Sequence, residues 1–351
     1  MDDERTDMLD IQFQENIAFG FAPFFNNNRP LYENEVTAVF ADVTYSISED
    51  IRLGLGVRDT TEKKVHSTIQ AGFIPFCTGT ELFTQEWEDS STTMRASAEY
   101  DMSESSMMYI SFSQGFKSGG ANNGDCNPHY NPENLDAAEI GFKASLADGA
   151  TTLRGAFFHY DYEDFQIIQV KNFAGVITNA DEAEITGMEL ELTSAVSDRW
   201  LVNAGLTILE SEYGEFLQED LSVFNGVPVQ IGGNPLNNAP ETSMNLGVTY
   251  GLELGSGAKL ALSLDAAYRS RVYFREFGNE LDSQDGYAIV NFNANWESAD
   301  GAFAARLFAN NLTDKAHVTG MYALQTTYGR QGTWNMPRQV GIEVTRFFGA
   351  R

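Results

Sequence analysis

The chain has 351 residues, a net charge of −28 and 42% hydrophobic residues, with Phe, Tyr and Trp present 25, 14 and 4 times. A chain this acidic is poorly suited to bind nucleic acid or anionic lipid as its main partner, because like charges repel. It contains no run of about 18 apolar residues, which excludes a transmembrane helix. Only a closed β-barrel could therefore cross a membrane with this sequence.

Apolar and polar residues alternate in one segment after another along the chain. Because successive side chains of a β-strand point to opposite faces, each such segment predicts a strand. The predicted strands cover residues 34–46, 50–62, 91–101, 105–116, 135–146, 150–162, 184–194, 199–211, 241–252, 257–271, 285–297, 302–312 and 337–348. Residues 9–20 are a candidate for one more strand.

The connections between these strands alternate between short and long. The short ones are rich in Asp, Ser and Gly, as tight turns require, and lie at 48–50, 102–104, 147–149, 196–198, 254–257 and 299–301. The long ones cover 63–90, 117–134, 163–183, 212–240, 272–284 and 313–336. Outer-membrane barrels sort their periplasmic turns and extracellular loops by length in this way.

Alternation alone does not say which face of the sheet points outward. Five aromatic residues lie within a few positions of a short turn, where they would form an aromatic girdle at one membrane interface: Tyr45, Tyr100, Trp200, Tyr250 and Trp296. The strands, at roughly ten residues and about 45° of tilt, are also long enough to cross a bilayer. Both features favour an apolar face toward lipid and a polar face toward a wet lumen.

Three segments resemble the TonB-dependent receptors, which are outer-membrane transporters for iron chelates, cobalamin and other scarce nutrients. The first is the Gly-Phe-Lys-Ser-Gly-Gly run of residues 115–120, followed by Ala121 and Asn122. The second is the Asn-Asn-Leu-Thr-Asp-Lys run of residues 310–315, which is similar to the end of the family's penultimate strand. The third is the last strand, which begins at Pro337-Arg338 and ends at Phe348.

The resemblance implies an all-β fold, an antiparallel transmembrane β-barrel in the outer membrane of a Gram-negative bacterium. The family's barrel has about 22 strands, an N-terminal plug domain and a box that contacts TonB, whereas about 13–14 strands are predicted here. We therefore expect residues 1–351 to be a partial, C-terminal portion of a barrel without the plug domain. Residues 1–5 are acidic and do not resemble a signal peptide, which agrees with an incomplete chain.

The function implied by the resemblance is import of a scarce nutrient, above all an iron–siderophore complex, with energy transmitted by TonB through the missing N-terminal region. The other expected partners are outer-membrane lipid and the barrel-assembly machinery, which would recognise the strand that ends at Phe348. No nucleic acid, metal or cofactor is expected. We expect no enzyme, since the four histidines are scattered without metal-ligand spacing.

Receptors of this family bind cargo with aromatic and charged residues of the upper lumen and the extracellular loops. By position, the resemblance implies these contacts: Lys117, Arg269, Arg271, Tyr273, Arg275, Tyr322, Tyr328, Arg330 and Trp334. The arginines at 269, 271 and 275 rise into a loop of an acidic protein and would suit an anionic ferric chelate. The other interpretation is that these side chains pack the lumen wall and the loops.

Two questions stay open at this point, the state of the two cysteines and the class of function. Cys77 and Cys126 both fall in long connections on the same predicted side, where a disulfide and two free thiols are equally compatible with the sequence. A smaller passive, porin-like channel is the alternative function, and a surface adhesin or structural β protein is a third. Solubility without detergent would favour the third class.

Overall fold

The computed structural model describes residues 6–7, 10–13, 25–28, 31–69, 82–122, 129–171, 174–220, 227–324 and 329–348. Its main feature is one large antiparallel sheet of fourteen strands, of which the first, Thr6–Asp7, has only two residues. The other thirteen strands form the wall and are numbered here in chain order. They are β1 Leu31–Ser46, β2 Ile51–Ile69, β3 Leu82–Ser103, β4 Ser106–Lys117, β5 Glu133–Leu146, β6 Thr151–Lys171, β7 Ala174–Ser197, β8 Trp200–Tyr213, β9 Thr242–Glu253, β10 Lys259–Arg269, β11 Tyr287–Glu297, β12 Phe303–Asn310 and β13 Gln339–Arg346.

Each wall strand pairs with the next one along the chain, so the sheet is a simple meander. In the β9–β10 hairpin, for example, Ser243 lies opposite Arg269 and Val248 opposite Leu264. All thirteen strands predicted from alternation are present. The prediction of an antiparallel all-β sheet is therefore confirmed.

The register sorts the side chains of the wall into two faces. Residues directly opposite each other in an antiparallel pair share a face, and the row Trp200, Tyr250, Leu262, Ala294 and Leu307 runs across five strands from β8 to β12. We call this side of the sheet the apolar face. Its aliphatic side chains are exposed instead of forming a core, as shown by Val39 (74% exposed), Val43 (62%) and Ile342 (73%), which lies opposite Leu307.

The opposite side, the polar face, carries hydrogen bonds and ion pairs between neighbouring strands. Arg95 of β3 donates to Asp42 across β2 at 2.7 Å, and Arg306 of β12 donates to Asn293 at 2.8 Å. Tyr109 donates to Glu139 on the neighbouring strand. Charged groups remain on this face because water or a partner charge solvates them.

The short connections are tight turns, as predicted. In the turn between β5 and β6, Ala147, Asp148 and Gly149 have φ values of 51°, 54° and 90°. Glycine adopts such a left-handed conformation without steric cost, and Asp tolerates it better than most residues. The five predicted girdle residues all lie at the short-turn end of the strands, where the rings of Trp200 and Tyr250 are 4.5 Å apart.

Two of the predicted long loops are wrong in extent. β2 continues to Ile69 and β3 starts at Leu82, whereas 63–90 was predicted as a loop. β6 continues to Lys171 and β7 starts at Ala174, within the predicted loop 163–183. Both hairpins keep their register beyond the segment that is long enough to cross a membrane. Where both faces of a strand meet water, apolar and polar residues need not alternate, and the prediction relied on that alternation.

The other long connections contain short ribbons. Their paired segments are Gly120–Ala121 with His129–Tyr130, Leu217–Asp220 with Val227–Gln230, Val272–Tyr273 with Ser283–Gln284, and Val318–Leu324 with Gly329–Trp334. A single-turn 3-10 helix covers Glu280–Asp282. Among the residues that the structure describes, no helix is long and apolar enough to cross a membrane.

The candidate strand at residues 9–20 is not part of the wall as far as it is described. Asp10–Phe13 pairs with Phe25–Asn28 in a separate two-stranded ribbon, and Thr6–Asp7 is the segment that pairs with β1. Cys77 and Cys126 lie outside the described residues, so the question of a disulfide stays a prediction.

Candidate ligand-binding surface at the long-loop end

The long-loop end of β6, β7 and β8 is a packed lobe with its own small core. Its buried members are Ile167, Ala180, Ala183, Tyr213, Ile231 and Leu236, with Phe165, Phe216 and Phe277 packed against them. Because these apolar residues bury one another instead of facing outward as in the wall, the described parts of the 214–240 segment are held as a folded unit. Burial raises the pKa of Tyr213 in this core to about 12.

A buried carboxylate ties three of the long connections together. Asp282 has no exposed surface and accepts from Arg275 Nη1 at 2.9 Å and from Arg330 Nε at 2.6 Å. Arg275 also donates to Asp220 at 2.8 Å. Asp220 belongs to the 214–240 segment and Arg330 to the 318–334 hairpin, so the cluster Asp220, Arg275, Asp282 and Arg330 (the loop latch) joins them through the 272–284 connection.

A chain of amide groups lies beside the loop latch. Gln169 of β6 donates to Gln218, and Gln218 in turn donates to Glu276 Oε1 at 2.8 Å. Asn234 donates to the backbone carbonyl of Glu276 at 2.9 Å. Because a buried polar group without a partner is costly, these bonds fix the 272–284 connection against the lobe.

The glycine-rich run at residues 115–120 is held by side chains from two other strands. The amide of Gln166 donates to the carbonyls of Ser118 at 3.1 Å and Asn131 at 3.0 Å, and Lys64 donates to the carbonyl of Gly119 at 2.8 Å. A Cβ added at Gly119 would collide with the carbonyl oxygen of Tyr130, so only glycine allows this close approach. The run is therefore a fixed corner where β4 leaves the sheet.

Of the predicted cationic contact residues, Arg269 is the one that has no ion pair in the described part of the chain. It is exposed, ends β10 and lies on the polar face opposite Tyr287. The ring of His317 stacks on Tyr287 with centroids 3.9 Å apart. Burial lowers the pKa of His317, and the positive charges of Lys315 and Arg269 lower it further.

Two other predicted cations are exposed but share their charge with acids. Arg271 donates to Asp285 Oδ1 at 2.6 Å and lies 3.3 Å from Glu280 Oε1, with 42% of its side chain exposed. Lys117 is 62% exposed and lies 3.9 Å from Glu133 Oε2. Such solvated pairs are weak, typically about 0–1 kcal/mol, so both cations remain available to an anion.

The remaining predicted contacts have different surroundings. Arg275 and Arg330 are engaged in the loop latch, Tyr273 lies in the ribbon with Ser283, and Trp334 is 66% exposed at the end of the last hairpin. Tyr322 is a strand residue opposite Gln331, and Tyr328 lies outside the described residues. That these nine residues touch cargo stays a prediction.

Sequence reasoning did not find Asp282, Asp220, Gln166, Gln218 or His317. No local signal marks them, because each gains its role from a partner more than thirty residues away or from burial. Only the run of arginines stood out against the acidic composition. Among the described residues, no group of three or more His, Cys, Asp or Glu side chains is arranged to hold a metal ion.

Comparison with known proteins places this fold in a family. Residues 4–312 match the family model described as TonB dependent receptor-like, beta-barrel. The probable TonB-dependent siderophore receptor PiuA of Acinetobacter baumannii is 25% identical over 266 residues, which cover 69% of this chain and 32% of PiuA. The pesticin receptor of Yersinia pestis is 24% identical over 319 residues, covering 88% of this chain and 43% of that receptor.

Solved structures show the same fold. The ferric yersiniabactin uptake receptor FyuA from Yersinia pestis superposes with a TM-score of 0.77 at 21% identity, covering 93% of this chain and 48% of FyuA. The siderophore receptor PiuA gives a TM-score of 0.71 at 20% identity, covering 90% of this chain and 43% of PiuA. The chain thus spans about a third to a half of the length of these relatives, which are receptors and not enzymes. On the strength of the family match, the chain belongs to the TonB-dependent receptor-like β-barrel family.

Proposed function

We propose that this chain forms part of the barrel wall of a TonB-coupled receptor that imports an iron–siderophore complex across the outer membrane of a Gram-negative bacterium. Family membership supports the receptor class, and relatives named as siderophore receptors support the cargo class. The observation in this chain that carries the proposal is Arg269, an exposed cation on the polar face at the long-loop end.

The chemistry around Arg269 suits an anionic chelate. The chain has a net charge of −28, so carboxylates are far more numerous than cations. Arg269 nevertheless has no ion pair in the described part of the chain, which leaves its guanidinium for an external anion. Arg271 and Lys117, each beside a carboxylate, add hydrogen-bond donors at the same end of the sheet, and Trp334 adds an exposed aromatic surface. Guanidinium groups bind carboxylates and similar oxyanions through two parallel hydrogen bonds. We infer that these four residues contact cargo while the loop latch positions the 318–334 hairpin, which carries Trp334.

The two faces of the wall support the membrane placement. The apolar face has the exposed aliphatic side chains that lipid would cover, and Tyr45, Tyr100, Trp200, Tyr250 and Trp296 would lie at the periplasmic interface. The polar face lines a cavity of about 800 Å³ near the short turns, where Lys259 and Arg306 lie beside Glu253 and Glu343. Charges of both signs fit a wet interior.

We infer that further strands of the same receptor complete the barrel. In the described part of the chain β13 has a hydrogen-bonded neighbour only on the β12 side, and an unpaired edge in lipid costs several kcal/mol per unsatisfied group. Phe348 follows β13, is 83% exposed, and would be the feature that the assembly machinery recognises. Contact with TonB would be made elsewhere in the receptor.

The test is uptake of radiolabelled ferric siderophore by cells that carry the receptor with Arg269→Ala. Arg154→Ala is the matched control, since Arg154 is also an exposed arginine of the polar face, next to Glu191 at 3.9 Å. Losing one charge-assisted bidentate contact removes about 1.5–3 kcal/mol, so Arg269→Ala should weaken cargo binding by about 10- to 150-fold while Arg154→Ala leaves it unchanged. Equal binding and uptake by both variants would contradict the proposed site.

A second arm tests the energised step. Uptake should disappear when TonB is deleted, because a receptor of this kind depends on energy from the inner membrane. Uptake that continues at the same rate without TonB would favour a passive channel, and a protein that stays in solution without detergent would favour an adhesin or structural protein.

A further inference from the structure

The apolar face carries a groove whose walls come from five neighbouring strands. Its volume is about 500 Å³ and it lies on β2 to β6. The register shows that two adjacent rows of side chains line it. The lower row consists of Leu53, Ala98, Ile110, Ile140 and Phe157, and the upper row of Leu55, Ala96, Phe112, Ala138 and His159.

Small and large side chains give the groove its shape. Ala96, Ala98 and Ala138 leave the backbone uncovered and form the floor, because a methyl group is the only side chain there. Leu55, at 63% exposed, and Phe157, at 53%, stand above the floor at the two ends. The imidazole Nδ1 of His159 is 2.8 Å from Thr186 Oγ1, so the one polar ring at the rim has a partner within the protein.

The length and slope of the groove match one acyl chain of a single leaflet. Four spacings of about 4.8 Å between five strands give a length of about 19 Å. The row starts at the third residue of β2 and reaches the seventh residue of β6, counted from the short turns, so it climbs away from the turns. With strands tilted by about 45°, the row rises through about 13 Å, close to half of the hydrocarbon thickness of about 25–30 Å.

The lower end of the groove meets two interfacial tyrosines. Tyr45 lies opposite Leu53, and Tyr100 lies two residues from Ala98 toward the short turn, opposite Ile51. Both are exposed, at 67% and 51%. Tyrosines placed at this level hold a lipid head group with the hydroxyl while the ring stays in the apolar region.

We propose that this groove is a seat for one acyl chain of a periplasmic-leaflet phospholipid whose head group lies at Tyr45 and Tyr100. The inference rests on the proposed outer-membrane placement and adds a defined lipid site to it. Lipid tails are as apolar as the groove walls, so the hydrophobic effect does not favour the groove over the rest of the apolar face. The acyl chain prefers the groove because it packs closely there and because the head group contacts the two tyrosines.

The experiment uses the receptor as the cell makes it, reconstituted into phosphatidylethanolamine vesicles that contain a fraction of the same lipid with a photoreactive diazirine in one acyl chain. After illumination, labelled peptides are identified by mass spectrometry. Peptides with Ala96 to Ala98, Ile110 to Phe112 and Ala138 should be labelled severalfold more than the apolar face of β9 and β10. Equal labelling of both regions would overturn the proposal but leave the membrane placement intact.

Filling the groove provides the second arm. Ala98→Phe and Ala138→Phe should reduce the labelling of β3 to β5 to the level of β9 and β10, while Ala266→Phe, on the apolar face of β10 outside the groove, should not. Unchanged groove labelling in either variant would overturn the proposal. If no apolar-face peptide were labelled in the unmodified receptor, the membrane placement itself would be wrong, and that result is distinct from uniform labelling. Folding of every variant is checked by the heat-dependent shift of barrels on electrophoresis.

Discussion

Replacing Asp282 with asparagine tests whether the loop latch holds the long connections together. The substitution keeps the shape of the side chain and removes its negative charge. Asp282 is fully buried and accepts from two arginines, Arg275 and Arg330, whose side chains are 12% and 31% exposed. The amide that replaces the carboxylate cannot accept on both sides, so at least one guanidinium loses its bond to residue 282.

The size of the effect follows from these exposures. A hydrogen bond to a charged group is worth about 1.5–3 kcal/mol when it is shielded, as for Arg275. The bond to Arg330 is partly solvated and is worth about 1 kcal/mol or less. We therefore expect the free energy of local opening to fall by about 3 kcal/mol, and since about 1.4 kcal/mol is a factor of ten, exchange should be faster by on the order of 100-fold.

Hydrogen exchange followed by mass spectrometry measures this opening directly. The backbone amides of the 318–334 hairpin and of the 272–284 connection should exchange faster in Asp282→Asn, whereas the amides of β9 and β10 should not change. Glu280→Gln is the control, because Glu280 is 82% exposed and its pair with Arg271 is solvated. If the two variants exchanged alike, the loop latch would not be what couples these segments.

Three other changes test separate parts of the structure. Leu264→Lys places a charge on the apolar face and should lower the free energy of unfolding in lipid vesicles by about 2–4 kcal/mol, whereas Asp265→Lys on the polar face should have little effect; equal losses would contradict the assignment of the faces. Gln166→Ala removes the side-chain donor that the carbonyls of residues 118 and 131 share. The free energy of local opening at 117–131 should fall by about 1–3 kcal/mol, which should speed proteolysis there. Unchanged cleavage would show that Gln166 does not hold this corner. Burial lowers the pKa of His317 in the folded protein, so the unfolded segment binds more protons. The stability of the 318–334 hairpin is therefore full above about pH 6.5 and falls as the pH drops toward the lowered folded-state pKa. The hydrogen-exchange rate of the hairpin, corrected for intrinsic chemistry, should rise at low pH in the parent protein and not in His317→Gln.

The strands of the wall could be predicted from the sequence because their signal is local. In β9 and β10 every second residue is apolar, and this period holds wherever one face meets an apolar phase and the other meets water. The prediction failed where that condition ends. Ile167 and Ala180, toward the long-loop ends of β6 and β7, belong to strands that continue past the alternating segment, and their register is set by pairing and by the core around Tyr213.

The candidate site shows the same limit more strongly. Arg269 and Arg275 look alike in the sequence, six residues apart in one basic run. In the structure Arg269 is exposed on the polar face, whereas Arg275 lies between two buried carboxylates. A residue's role depends on which distant groups the fold brings to it, and the partner of Arg275 in the 214–240 segment is 55 residues away.

Local patterns of residues were sufficient for the strand order, the two faces of the wall, the alternation of short turns and long loops, and the family. All of these follow from period-2 patterning, turn chemistry and short motifs, which act over a few residues. The folded arrangement was needed to learn which cations are engaged in the loop latch and where alanines from neighbouring strands align into a groove. These depend on strand register and on contacts between segments far apart in the chain, and no local pattern of residues encodes either one.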